Sequence, residues 1–203
     1  MERFSLQEEK CRVRRELKES AVRFSERYVA EASRAVCDTV LQSNEFRKAA
    51  VIFGYLSFRN EISVDAVLAE ALRLGKRVAV PWIVSQTEMK AALLKSLDNL
   101  PVDRYGIRTV PEPVNFVVPG DIDLILVPGA GFSPKGYRMG RGAGFYDRFL
   151  IQTDGFRLGI TFDALLREAI PVDDYDQSVE ALVTETEFIR CTGAWRGRNA
   201  VIF

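Results

Sequence analysis

Short, uniformly apolar runs alternate along this chain with longer amphipathic segments, and this alternation restricts the fold more than any other feature. The runs at 49–56, 77–81 and 123–128 have the length and composition of strands buried on both faces. Between the first two, residues 64–74 carry an apolar stripe at helical spacing. A strand, a helix and a strand within about thirty residues indicate a βαβ unit. We therefore expect a single three-layer α/β domain over residues 1–203 with a mostly parallel sheet.

Two helices are expected ahead of this unit. Ser5 and Glu8 form a capping-box pattern, which predicts a helix that continues to about Ser20. Apolar residues at helical spacing after Ser25 predict a second helix, which ends near Ser43. These two segments indicate an N-terminal helical hairpin.

The rest of the chain continues the alternation less clearly. Residues 89–97 fit a helix or a short strand equally well, and the proline-rich stretch 105–119 predicts an extended connection. We expect the strand at 77–81 to end at Pro81, and we expect Ser63 to cap the helix at 64–74. The elements predicted after residue 128 are a helix at 145–152, a strand at 157–161, a helix at 164–169 and a strand at 181–184.

Glycine is concentrated in one stretch behind the run at 123–128. Six of the 14 glycines fall within residues 129–144. Glycine lets backbone N–H groups approach a ligand closely, and ligands of open α/β sheets bind at the carboxyl ends of the strands. The stretch is also basic, and its spacing matches neither a dinucleotide-binding motif nor a P-loop. It predicts a phosphate cradle ahead of a helix N-terminus, with a flexible surface turn as the alternative.

Composition excludes several classes of function. The chain has no histidine, which removes Ser-His-Asp and Cys-His triads, histidine proton shuttles and most catalytic zinc sites. Its 28 Lys and Arg balance 28 Asp and Glu, so there is no overall positive charge to hold a nucleic-acid backbone. The three cysteines lack the spacing of a disulfide framework or a zinc site.

Nothing in the sequence indicates export or membrane insertion. Residues 1–15 are densely charged, unlike a signal peptide. No apolar stretch approaches the roughly 18 residues that a membrane helix needs. We expect a cytoplasmic protein without nucleic-acid or membrane partners, present as a monomer or a weak dimer.

Residues 127–150 read VPGAGFSPKGYRMGRGAGFYDRFL. This segment resembles the signature of the 5-formyltetrahydrofolate cyclo-ligases, also called methenyltetrahydrofolate synthetases, which runs approximately PG-x-x-F-D-x-x-G-x-R-L-G-x-G-x-G-Y-Y-D-x-x-L. It departs from that pattern at Ser133, Met139 and Phe145, none of which removes a charge assigned to the nucleotide. The matching positions are Pro128, Gly129, Phe132, Gly136, Arg138, Gly140, Gly142, Gly144, Tyr146, Asp147 and Leu150.

Three shorter segments extend the resemblance over most of the chain. Lys10 and Arg14 are similar to the K-x-x-L-R of the family, whose cations contact nucleotide phosphates. Leu56 and Glu61 are similar to residues that line the folate pocket. Asp176 resembles the metal-associated aspartate of P-x-x-x-x-D, and the position before it, often histidine in relatives, is Tyr175 here.

The resemblance implies an enzyme that uses ATP and Mg²⁺ to convert 5-formyltetrahydrofolate to 5,10-methenyltetrahydrofolate, with release of ADP and phosphate. In the implied reaction the formyl oxygen takes the γ-phosphoryl group, N10 captures the activated carbon, and phosphate leaves. Such chemistry needs positioning and charge neutralisation more than a protein nucleophile. The implied roles are catalysis for Arg138, Lys10 and Tyr146; ATP binding for Lys10, Arg14, Arg138, Gly140, Arg141, Gly142, Gly144 and Tyr146; substrate binding for Leu56, Glu61 and Phe132; and metal binding for Asp147 and Asp176.

Each of these residues also has a simpler interpretation. Lys10 and Arg14 lie four apart on a charged helix and fit a solvated face. Glu61 fits an exposed carboxylate near a helix N-terminus, and Asp176 fits a solvated acidic loop. Phe132 and Tyr146, like other aromatic residues here, fit the core or a pocket wall.

Two other functions stay open at this point. One is a nucleotide- or RNA-binding regulatory module without catalysis, which would bind ATP without folate-dependent turnover. The other is a sugar-phosphate isomerase or transferase on a related scaffold, which would not need ATP.

Overall fold

The apolar runs form the strands of one large sheet in the computed structural model, which describes residues 5–103 and 106–193. All residues of its innermost strands are buried or nearly so, as expected for a sheet covered on both faces. Its strands are β1 (Val51–Phe53), β2 (Arg77–Ile83), β3 (Met89–Leu94), β4 (Phe116–Val117), β5 (Leu124–Pro128), β8 (Phe156–Ile160), β9 (Ala181–Val183) and β10 (Phe188–Arg190), and β6 (Gly131–Phe132) and β7 (Arg138–Met139) form a separate hairpin.

The strand order is β10-β9-β8-β5-β1-β2-β3-β4. The five strands from β9 to β2 run parallel, and β3, β4 and β10 add antiparallel edges. The α/β class and the mostly parallel sheet predicted from the sequence are therefore confirmed. The carboxyl ends of β1, β5 and β8 lie side by side, which is where ligands bind in such sheets.

The helices cover the two faces of the sheet. Leu124 and Leu126 of β5 face one hydrophobic cluster, and Ile125 and Val127 face another. The first cluster contains residues of α1, α2 and α4, and the second contains residues of α5, so the sheet is the middle of three layers. The helices are α1 (Leu6–Val22), α2 (Glu26–Gln42), α3 (Asn44–Lys48), α4 (Asp65–Arg73) and α5 (Phe145–Leu150), with 3-10 turns at Pro119–Asp121 and Asp163–Leu165.

The helix caps agree with the sequence at most positions. Ser5 and Glu8 form the predicted capping box of α1, and Ser25 caps α2. Ser43 ends α2 as predicted, but its side chain also caps α3, a short helix that the sequence pattern did not predict. The cap predicted at Ser63 is wrong, because the N-cap of α4 is Val64 without a side-chain hydrogen bond. None of the described helices is both long and apolar enough to cross a membrane.

Two further predictions need correction. The helix predicted at 164–169 is wrong, because after the 3-10 turn the chain extends, so that Leu166 bridges to Phe132 and the Arg167 N–H donates to the Phe132 carbonyl. The prediction that Pro81 closes its strand is also wrong. β2 continues to Ile83 because its second half pairs with β3, whereas β1 reaches only to Ala79.

Residues 89–97, whose pattern fitted a helix or a short strand equally well, contain the strand β3. The start of the extended connection predicted at 105–119 lies outside the described residues. From residue 106 onward the connection is mostly irregular until β4 begins at Phe116. The strand β10 and the hairpin β6–β7 had no clear sequence signal.

Candidate active site

Two adjacent cavities lie beyond the carboxyl ends of the parallel strands. The first, of about 410 Å³, has walls of strand-end and aromatic residues that include Tyr55, Pro128, Ile160 and Phe162. We call it the apolar cavity. Its polar groups, among them Glu61 and Arg141, lie between these apolar walls. This composition suits a flat aromatic ligand with a few hydrogen-bonding groups.

The second cavity, of about 550 Å³, is lined mainly by charged residues, glycines and glutamines, together with the apolar residues Met139, Ile151, Pro171 and Tyr175. We call it the polar cavity. Its walls come from α1, from the segment between β7 and α5, and from residues 171–177. It gathers most of the residues predicted for phosphate and metal, namely Lys10, Arg14, Arg138, Gly140, Gly142, Gly144, Asp147 and Asp176.

Arg14 forms part of the wall between the two cavities. It lines both of them, and its Nε donates to the carbonyl of Gly140 at 2.9 Å. This bond fixes the glycine loop against α1. A ligand in either cavity would therefore lie beside the same guanidinium.

Lys10 anchors the acidic segment of the polar cavity. Its Nζ lies 2.7 Å from Asp173 Oδ2 and also pairs with Asp176, and its side chain is only 10% exposed. Burial alone would lower the pKa of Lys10, but the hydrogen bonds and charges of the two aspartates outweigh burial and raise it. The Lys10 hydrogen bond in turn lowers the pKa of Asp173. The amine is thus held as a cation at neutral pH.

Arg138 is the most enclosed cation of the polar cavity. Its Nη2 lies 2.7 Å from Asp147 Oδ1, and its side chain is 5% exposed. Asp147 Oδ1 also accepts a bond from the Gln177 N–H at 3.2 Å. The Nε of Arg138 is buried and has no hydrogen-bond partner among the described residues. A buried donor without a partner is costly.

The glycines at 140 and 142 are required by the local geometry. A Cβ on Gly140 would lie 2.8 Å from Arg138 Nη1, and Gly142 adopts a φ of +105°. Residues with side chains rarely adopt that conformation. The loop therefore places its backbone where larger residues would fill the cavity or strain the chain.

Glu61 and Arg141 pair across the apolar cavity. Arg141 is the residue between Gly140 and Gly142, yet it lines the apolar cavity and not the polar one. The other oxygen of Glu61 accepts a bond from the Phe58 N–H at 2.9 Å. The structure thus separates Arg141 from the other residues predicted to bind ATP and places it with the predicted folate residue.

Three predicted residues line neither cavity, and of these Phe132 and Leu56 are buried whereas Tyr146 is partly buried. Phe132 is fully buried beneath Gly129 and Gly159, and Leu56 is 7% exposed within the core. Tyr146 packs near Phe53, and its buried hydroxyl has no hydrogen-bond partner among the described residues. Burial and the charge of Glu61 raise the pKa of Tyr146 far above its usual range, so the hydroxyl stays protonated.

The residues predicted for the metal lie in one cavity but each pairs with a cation. Within the described ranges, no three acidic, cysteine or histidine side chains cluster as metal ligands. Asp147 uses Oδ1 and Asp176 uses Oδ2 for its bonds, and the other oxygen of each accepts none from the described residues. Magnesium is commonly held by one or two carboxylates together with substrate phosphates. The pair fits an ion that arrives with a phosphate better than one held by protein alone.

Several residues of these cavities were not predicted. Asp173 is the second partner of Lys10, and its spacing of three from Asp176 in an acidic run was the available signal. Tyr55 lines the apolar cavity and donates to the Ile62 carbonyl at 2.8 Å. The available signal was its place beside Leu56, in the segment 55–57 that resembles the folate-pocket strand of the family.

Comparison with known proteins agrees with this geometry. The 5-formyltetrahydrofolate cyclo-ligase family model matches residues 6–185. The probable 5-formyltetrahydrofolate cyclo-ligase of Caenorhabditis elegans is 29% identical over 200 residues, with 91% of this chain and 97% of that protein covered. The 5-formyltetrahydrofolate cyclo-ligase of Mus musculus is 26% identical over 186 residues, with 85% and 92% covered.

A solved structure extends the likeness to the fold. The NMR structure of Aquifex aeolicus 5,10-methenyltetrahydrofolate synthetase aligns with a TM-score of 0.80 and 28% identity, and the alignment covers 94% of this chain and 97% of that one. The residues matched by the family model include all described residues that line the polar cavity, from Gln7 to Gln177.

Proposed function

The chain belongs to the 5-formyltetrahydrofolate cyclo-ligase family, and we propose that it binds the folate in the apolar cavity and ATP in the polar cavity. The reaction is the conversion of 5-formyltetrahydrofolate to 5,10-methenyltetrahydrofolate. ATP, bound with Mg²⁺, supplies the phosphoryl group that activates the formyl oxygen. The protein supplies position, charge and exclusion of water.

The observation that carries this proposal is the presence of two unlike cavities that have Arg14 as a shared lining residue. A pterin needs an apolar slot, and a triphosphate needs cations and backbone donors. Transfer between the two ligands requires their reacting atoms to be near each other. Arg14, which lines both cavities, lies where the ligands would meet.

Three cations serve the phosphates in this proposal. Lys10 and Arg138 are nearly enclosed, so water screens their charge weakly. Arg14 closes the side toward the folate. Backbone groups of Gly140, Gly142 and Gly144 contact the phosphate oxygens, since the loop that contains them lines the same cavity.

Asp147 and Asp176 would hold the Mg²⁺ through their free carboxylate oxygens. Their existing bonds to Arg138 and Lys10 keep both carboxylates in place before the ion arrives. The same bonds neutralise part of their charge, which reduces their repulsion of the triphosphate.

Glu61 orients the folate, since its carboxylate lies between apolar walls that suit a ring with N–H donors. Arg141, its partner, contributes to the same cavity and reaches ATP only if it leaves Glu61. Tyr146, Leu56 and Phe132 act from beneath the site, where they support the glycine loop and the cavity walls.

The cytoplasmic location and the monomeric or weakly dimeric state stay predictions. The single-domain organisation over residues 1–203 also stays a prediction.

A direct assay tests the proposed function. Purified protein is mixed with 5-formyltetrahydrofolate, Mg²⁺ and ATP, and the near-ultraviolet absorbance of the methenyl product is followed, with each component omitted in turn. We expect product only when all three are present. Product formed without ATP would favour a different activity on this scaffold, and ATP binding without product would favour a regulatory nucleotide-binding protein.

A further inference from the structure

The mouth of the polar cavity carries apolar side chains that face solvent. Tyr175 is 83% exposed and Ile151 is 51% exposed, and both line this cavity together with Pro171. Isolated exposed apolar residues are common, but exposed members that line one charged cavity need an explanation. Phosphates and metal ions do not bind to apolar side chains.

Tyr175 is held at this position by the residues around it. Its N–H donates to Asp173 Oδ1 at 3.0 Å, and its carbonyl accepts from Gln177 Nε2 at 3.2 Å. Asp173 and Asp176, on either side of it, are both anchored by Lys10. The ring is therefore presented to solvent by an anchored turn, and its exposure does not come from a loose segment.

The enclosed cations and the exposed apolar residues occupy different positions in the same cavity. Lys10 and Arg138 are enclosed, whereas Tyr175 and Ile151 are exposed, as are charged lining residues such as Arg148 and Asp174. A nucleoside triphosphate has the same division, with a charged chain at one end and a flat base at the other. Aromatic side chains stack on such bases regardless of their identity.

We propose that Tyr175 is a stacking platform for the nucleobase of the bound nucleotide, with Ile151 and Pro171 completing the apolar contact. This inference rests on the proposed function, since it places ATP in the polar cavity with its phosphates inward. The proposal places the base against a residue that belongs neither to the glycine loop nor to the charged residues of the polar cavity.

The test separates the base from the phosphates by using two probes. Isothermal titration calorimetry measures the Kd of ATP and of inorganic tripolyphosphate, each with Mg²⁺. We expect Tyr175→Ala to raise the Kd of ATP about tenfold, a loss typical of a base that loses its stacking partner. The Kd of tripolyphosphate stays unchanged, because this probe has no base.

Two further variants serve as controls. Tyr175→Phe keeps the ring, so both dissociation constants stay at the wild-type values. Phe116→Ala removes another exposed aromatic side chain, on the edge strand β4 and away from both cavities, and changes neither constant.

Each contrary result has a distinct meaning. An unchanged ATP Kd in Tyr175→Ala, or an equal loss for ATP and tripolyphosphate, overturns the platform and leaves the proposed function in place. A wild-type protein that binds neither probe overturns the nucleotide site itself, and the proposed function with it.

Discussion

The two cavities share a wall but are assembled in different ways. The apolar cavity is lined by α1, by residues 55–62 after β1 and by residues at and beyond the ends of β5 and β8, and several of these residues, such as Leu17, Ile160 and Phe162, also belong to the hydrophobic core. The polar cavity takes its charged residues from three segments far apart in the chain, which are joined by the ion pairs of Lys10 and by hydrogen bonds of Arg14 and Gln177. One cavity follows from packing, and the other depends on particular charged partners.

This difference predicts unequal sensitivity to substitution. Removal of one enclosed charge in the polar cavity leaves its partner without compensation, whereas the apolar cavity loses one contact among many. Substitutions in the two cavities should also affect different ligands, since among the described residues only Arg14 lines both.

The largest effect is expected for Arg138→Ala. The variant loses the most enclosed cation of the polar cavity, and kcat/KM should fall roughly 100- to 1,000-fold, as when a single charge-stabilising donor is removed from other active sites. Steady-state kinetics measure this loss, and thermal unfolding confirms that the variant is folded. Arg138→Lys is the matched control and should recover part of the rate, because it restores the charge without the forked donor geometry. Wild-type turnover in folded Arg138→Ala would remove this residue from the site.

A smaller and more selective effect is expected for Glu61→Gln. Hydrogen bonds to charged groups contribute about 1.5–3 kcal/mol, so the KM for the folate should rise about tenfold or more while the Kd of ATP stays constant. Glu45→Gln is the matched control, because Glu45 also pairs with an arginine, Arg190, and lines neither cavity. A larger change for ATP than for the folate would show that the cavities do not act separately.

The smallest effect is expected for Gly142→Ala. The substitution forces a side chain into a left-handed backbone conformation, which costs about 1–2 kcal/mol, and the free energy of unfolding should fall by that amount. Denaturant titration measures it. Gly120→Ala is the control, since that glycine has no positive φ and an added Cβ would meet no atom within 4 Å. Equal stability of both variants would mean that the glycine loop relaxes without cost.

Local signals in the sequence predicted the fold well where short-range forces decide the structure. The capping box at Ser5 and the apolar run at 123–128 are local patterns of the sequence, and the structure confirms the first as the cap of α1 and the second as the strand β5. The helix expected at 164–169 failed because a contact with Phe132, over thirty residues away in sequence, holds that segment extended. Residue pattern contains little information about such distant partners.

The same limit applies to the candidate site. Glycine density and basic residues identified the loop, but not that Arg141 lies on the opposite side of it from Gly140 and Gly142. Nothing in the sequence pattern indicated that Arg138 pairs with Asp147, and the two residues were predicted to bind different ligands. Which residue faces which cavity depends on the path of the loop in three dimensions.

The bonds of Lys10 also set the order in which this molecule becomes complete during synthesis. Lys10 is separated from Asp173 by 163 positions and from Asp176 by 166. Protein domains acquire structure as the chain leaves the ribosome, starting from the N-terminus. Here Lys10 is made long before its two partners, so a chain interrupted before residue 176 lacks one wall of the polar cavity. This cavity therefore forms only after the ribosome has passed residue 176.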